Sequence, residues 1–163
     1  MAETLSVTDM LPNKFEPKRG YRWVLAIEGI DSFLVNSTKR PDAQIGKSTI
    51  NWINSYRNIS NGKVVWSSIS VELHDPIAPS GAQQVMEWIR THMESVSGRA
   101  GYADFYKRDL QLKMLDPIGT VIELWDIKGA FISSATFGNL SYGSDDMLKV
   151  SLTLEVDNCV LQF

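Results

Sequence analysis

"LKVSLTLEVDN", residues 148–158, alternates apolar and polar side chains without a break. Successive side chains of an extended chain point to opposite sides, so Leu148, Val150, Leu152, Leu154 and Val156 share one face. Lys149, Ser151, Thr153, Glu155 and Asp157 share the other. A period of two with one greasy and one wet face specifies a strand of an antiparallel sheet that covers a core on one side only.

The same code recurs upstream. "GYRWVLAIEG" (20–29) places Tyr21, Trp23, Leu25 and Ile27 on one side, and "SFLV" (32–35) is expected to return beside it as a hairpin. "KVVWSSISVEL" (63–73) reads as one further strand, entered through the turn signal Asn61-Gly62. "DLQLKML" (109–115) and "TVIELWDI" (120–127) flank Asp116-Pro117-Ile118-Gly119, where proline presets a turn and glycine takes its left-handed position, and "KGAFI" (128–132) carries the chain onward. Only one stretch has helical spacing: Ser80 as N-cap with Gln83 three residues on, then Val85, Met86, Ile89 and Met93, predicts a helix over 81–94.

About seven strands and one helix define a mainly β fold, a β-sandwich or small barrel-like subunit with the helix plugging one opening. With 163 residues and 44% hydrophobic content, the chain suits one core without a metal or disulfide. Residues 1–18, polar and punctuated by Pro12 and Pro17, read as an extended arm, and 19–163 as a single domain. Within it, 36–62 keeps neither period yet carries Ile50, Trp52 and Tyr56, which reads as a long interaction loop.

Composition narrows the function classes. A net charge of −3 offers no global basic field for phosphate neutralisation. No apolar run reaches membrane-spanning length, and the N-terminus has no secretory pattern, so a protein made and kept in a cytoplasm is expected. The lone Cys159, inside an apolar run, is expected as a buried free thiol.

The candidates for chemistry fail one at a time. His74-Asp75, in "HDPIAPSG" (74–81), and His92 near the helix end invite a catalytic or metal-binding reading. A catalytic pair needs a nucleophile, and zinc needs more ligands at coordinating spacing, whereas Asp before Pro commonly starts a turn. Gly46-Lys47-Ser48 has the end of a phosphate loop without the glycine five residues ahead, where Pro41 stands. "GRAGYADFYKRD" (98–109) matches no phosphate-binding motif. The tryptophans at 23, 52, 66, 88 and 125 suit core and interface packing more than a stacking platform. No catalytic residue, cofactor or metal ligand is assigned, and the long irregular segment, the arm and the two-faced strands point to assembly.

Residues 114–158, "MLDPIGTVIELWDIKGAFISSATFGNLSYGSDDMLKVSLTLEVDN", resemble the C-terminal half of the tail tube proteins of contractile-tailed bacteriophages. The features are a hairpin, the Ile127-Lys128-Gly129 element with Phe131 a residue late, the Asp145-Asp146 loop and the alternating final strand. Pro12-Asn13 and Phe15 leading into the first strand are similar to that family's opening. The resemblance implies a structural, non-enzymatic subunit that closes into hexameric rings, stacked as a hollow tube inside a sheath. It further implies baseplate tube-initiating proteins as partners, a tape measure protein and genomic DNA in the lumen without sequence-specific binding, no membrane, and a place in the virion tail after assembly in the host cytoplasm. A baseplate initiator or a type VI secretion tube protein shares that subunit.

On this reading the polar strand faces line a joint inner barrel, with Glu72, Glu123, Glu155 and Asp157 as lumen candidates that would keep phosphate from sticking. Stacking needs an open-ended contact, assigned to 36–62 with Lys47, Trp52, Tyr56 and Arg57. The competing expectations are a monomeric β-barrel that binds a small molecule or carbohydrate, and a hydrolase built on His74 and Asp75.

Overall fold

The computed structural model describes residues 14–163. The first two-thirds of the expected arm lies outside the described residues. The elements run β1 (Trp23–Ile27), a 3₁₀ turn (Ser32–Leu34), β2 (Val35–Thr38), β3 (Ala43–Asn51), β4 (Tyr56–Trp66), β5 (Ile69–His74), α1 (Gly81–His92), α2 (Ala103–Tyr106), β6 (Arg108–Leu115), β7 (Val121–Thr136), β8 (Lys149–Glu155) and β9 (Asn158–Leu161). The mainly β class holds, with nine strands among the described residues in place of about seven, and with no closed barrel among them.

Every pairing is antiparallel. Seven strands form one folded-over sheet in the order β1-β6-β7-β8-β5-β2, with β9 also on β7. The 16-residue β7 belongs to both layers: Val121–Ala130 pairs with β6, while Phe131–Thr136 pairs with β8. The crossover is set by Gly129, whose φ of 66° lies in the left-handed region. On its N-terminal side Glu123 and Ile127 point inward; past it the parity flips and Ala130 is the buried one. The partner strand turns at the same place, since Asp157 N–H donates to the Lys128 carbonyl (3.0 Å) between β8 and β9.

The core lies between the two layers and holds Leu25, Ile27, Ile69, Val71, Leu73, Leu110, Leu112, Ile127, Val150, Leu152 and Leu154. α1 closes one opening by inserting Val85 and Trp88, both essentially without solvent contact. The buried Trp88 ring needs a partner for its N–H and finds the Tyr106 carbonyl at 2.7 Å, while the Arg108 guanidinium lies over the ring, 4.7 Å from its centre. The other side stays open. β1 and β2 end the sheet path, and an unfilled cleft lined by Trp23, Val24 and Leu25 against Val35–Thr38 separates them.

Several boundaries depart from the sequence reading. The segment 36–62 is not a loop: it contains β2 and most of a long hairpin, β3–β4, whose sheet has only those two strands. The turn is at the tip, where Trp52 N–H donates to the Ser55 carbonyl (2.7 Å). Asn61-Gly62 is instead a bulge inside β4, where the register shifts and Gly62 takes a φ of 76°. The expected single strand 63–73 is two, broken at Ser67-Ser68, because its first half belongs to the hairpin and its second to the core sheet. "TVIELWDI" and "KGAFI" are one strand, and "SFLV" begins as a 3₁₀ turn.

Candidate functional site

The hairpin is the feature that the subunit's own packing does not explain. All nine residues of β3 and ten of the eleven in β4 are exposed. Trp52 is 57% exposed, Ile53 fully so and Tyr56 70%, although a strand pair this apolar is marginal in water without something to pack on. Polar rungs hold its register: Ser48 Oγ donates to Asn61 Oδ1 (2.6 Å) and Thr49 Oγ1 to Asn58 Oδ1 (2.7 Å). Lys47, Trp52, Tyr56 and Arg57, expected at one interface from sequence, all lie on this element. Gly46-Lys47-Ser48 sits in mid-strand, which removes the phosphate-loop geometry.

The base of the hairpin is tied to the body. The Trp66 indole N–H donates to Asn158 Oδ1 (3.2 Å), and its ring meets Trp125 edge-on, 6.4 Å between centres. Close by is Glu123, the one charged residue buried among the described residues, at 5% exposure. Its carboxylate accepts from Trp125 Nε1 (2.5 Å), pairs with Lys18 and has Arg40 Nη1 at 3.6 Å. The hydrogen bond from Lys18 holds its carboxyl below the ordinary value of 4.5, with smaller help from Trp125 and Arg40 against the cost of burial. This clamp joins the chain entering β1, the link between β2 and the hairpin, and β7. Sequence periodicity missed it because alternation places Glu123 on a strand face without saying that the face is inside.

Glu123 therefore leaves the set of wall candidates: a carboxylate sealed within one subunit cannot line a channel between several. Asp157 stands at the β8–β9 corner and pairs with Lys107 (2.6 Å). Glu72 and Glu155 do occupy a solvent-facing surface, the outer side of β5 and β8, with Ser70, Lys149, Ser151 and Thr153. Glu72 accepts from Asn36 Nδ2 (2.6 Å) and from Lys149 Nζ (3.4 Å), contacts that lower its pKa, Asn36 contributing most. The face carries three hydroxyls, with two carboxylates set against one ammonium.

Asp75 has a structural task. Its Oδ1 accepts from the Ala82 N–H (3.1 Å) and the Ser80 hydroxyl (3.2 Å), while Ser80 Oγ accepts from Gln83 N–H (3.4 Å), so together they cap α1. His74 ends β5. His92 is far along the helix, stacked on Tyr106 at 4.3 Å and edge-on to Phe131. Asp75 thus spends its carboxylate on the start of the helix, a task the reading of Asp-Pro as a turn starter does not include. Burial pushes the Cys159 thiol up to about 11, so it sits as a protonated apolar side chain.

Two layers sharing a bent central strand, a plugging helix and a projecting hairpin make up the fold. No protein-family model and no curated protein matches the sequence. Solved structures do. A chain of the anti-feeding prophage cap, described as its tube terminating cap, superposes with a TM-score of 0.74 at 17% identity over 97% of this chain and 99% of that one. A chain of the sheath-tube complex of PVC, an extracellular contractile injection system in its extended state, gives 0.70 at 17% identity over 98% and 99%. One from the anti-feeding prophage baseplate, 6-fold symmetrised, gives 0.67 at 14% identity over 90% and 96%. The fold of this chain is the one found in those contractile particles.

Proposed function

We propose that this protein is a non-enzymatic tube subunit of a contractile, phage-tail-like particle. Copies close into rings of six through the unpaired edges of β1 and β2, and rings stack into a hollow tube through the β3–β4 hairpin. The observation that carries this reading is the hairpin itself. Complete burial of side chains such as Trp52, Ile53 and Tyr56 contributes about 1.5–3 kcal/mol each, and the isolated subunit leaves all of it unused at Ile53 and more than half at Trp52 and Tyr56. Similarity in fold to chains of a sheath-tube complex and of a 6-fold baseplate supports the ring number, a sheath outside and a baseplate below.

The outer face of β5 and β8, with Glu72 and Glu155, is the wall of the channel. Hydroxyls and a small negative excess give DNA phosphates, or a tape measure protein, nothing to adhere to as they slide. Particle assembly takes place in the host cytoplasm and the finished tube resides in the virion tail. A second reading, an end piece at the cap or the baseplate, draws on the similarity to the tube terminating cap and differs in that such a subunit would not elongate on its own.

Negative-stain electron microscopy of the purified protein at rising concentration tests the proposal. Rings and hollow rods are expected. Deleting Lys47–Asn58 removes no core residue, so the thermal midpoint and circular dichroism of the body should persist while rods vanish. Full-length rods from the deletion variant would remove the hairpin from stacking, and a monomer at every concentration would overturn self-assembly. Single rings that never stack would favour the end-piece reading.

A further inference from the structure

The hairpin requires a receiving surface, and the other end of the subunit supplies one. β2 pairs antiparallel with β5, Val35 opposite Leu73 and Thr38 opposite Val71, so the chain leaves for the hairpin at the Ile69 end and returns into β5 there. His74 lies opposite Lys149 at the far end. There the 137–148 connection, wholly exposed, and the loop entering α1 frame an apolar groove of about 390 Å³ lined by His74–Ile77, Met147 and Leu148. Ile77 is fully exposed on its rim and Met147 is 78% exposed. The six residues of β5 separate the two surfaces by about 17 Å before the hairpin extends further, so one copy cannot bring its own tip to its own groove.

Charge matches across the two ends. Residues 43–66 carry Lys47, Arg57 and Lys63 and no carboxylate; residues 137–148 carry Asp145 and Asp146 and no cation. Among the described residues none of these five forms an ion pair within the subunit, although Lys18, Lys39, Arg40, Lys107, Lys128 and Lys149 all do. Both surfaces thus have matching apolar and charged groups left over, at opposite ends of the same strand.

We infer that the hairpin tip of one copy docks on the groove end of another. Trp52 and Ile53 then meet Ile77 and Met147, while Arg57, paired with Ile50 near the tip and on the opposite ladder face from Lys47, faces Asp145 and Asp146. Such a head-to-tail contact between unlike surfaces forms a ring only if its rotation closes; with the two surfaces at opposite ends of the subunit it propagates along an axis instead. This rests on the tube reading and adds to it the identity of the receiving face, including a loop, 137–148, that the core does not need.

The test mixes two full-length variants, Ile53→Cys and Met147→Cys, under mild oxidation, with the same samples viewed by negative stain. Cys159 is buried and does not compete. Disulfides joining 53 to 147 should dominate over 53–53 and 147–147 products. Adding Asp145→Lys and Asp146→Lys to the Met147→Cys copy should lower their yield about tenfold, and adding Arg57→Glu to the other copy should recover part of it. Rods or stacked rings without the 53–147 bond would overturn the receiving face and leave the tube reading standing. Absence of both particles and bond would overturn both, and failure of the charge swap to recover yield would refute the pairing of Arg57 with Asp145 and Asp146.

Discussion

Replacing Gly129 by alanine tests the corner on which both sheets depend. With φ at 66°, a side chain there costs about 1–2 kcal/mol from the left-handed backbone alone. The new Cβ would also overlap the Asp157 carboxylate, whose Cγ would be 2.7 Å away. Asp157 must swing out, giving up its exposed pair with Lys107 and its seat at the corner. The backbone cost alone corresponds to a loss of about 2–8 °C in thermal midpoint for a chain of this size, and displacing the carboxylate adds to it. Differential scanning calorimetry of Gly129→Ala, Asp157→Ala and the double variant separates the two causes. In the Asp157→Ala background the glycine substitution should cost only the backbone part, about 1–2 kcal/mol. A cost below about 0.5 kcal/mol in the single variant, or an identical cost in both backgrounds, would refute the steric account of the corner.

Two other outcomes follow from the buried groups. Glu123→Gln should free the chain before β1, seen as faster tryptic cleavage after Lys18 and Arg19 at neutral pH. Because the Glu123 carboxyl is held below 4.5, the clamp is complete above that value and is lost as pH falls through the lowered one. Amide protection at residues 18–22, taken relative to the intrinsic exchange rate at each pH, should therefore fall in acid in the wild type and be low at every pH in the variant; equal protection in both would remove the clamp. Cys159, with its thiol near 11, should resist thiol reagents at pH 8 until the fold opens, and rapid stoichiometric labelling of the native protein would contradict its burial.

The strands that build the core were legible because each has one wet face. In β8 the alternation of Val150, Leu152 and Leu154 with Lys149, Ser151 and Thr153 appears unchanged as buried and solvent-facing sets. Ser80 and Gln83 located the start of α1, since an N-cap is a local hydrogen bond that neighbouring residues specify. The hairpin was not legible. Its apolar residues stand on both faces and none enters the core, so neither period rises above the other. Asn61-Gly62 misled for a related reason: a left-handed glycine serves a bulge as well as a turn.

By itself the sequence determined what depends on near neighbours along the chain: strand or helix, which face of a strand is greasy, where a helix is capped, and the clustering of Lys47, Trp52, Tyr56 and Arg57 outside the periodic segments. Only the tertiary structure decided what depends on contacts across the chain. It took Glu123 from a presumed wall into a clamp with Lys18, joined residues 121–136 into one strand bent at Gly129, and set the hairpin and the Asp145-Asp146 loop at opposite ends of β5. Periodicity reports that a residue has a face, and packing alone determines what that face meets.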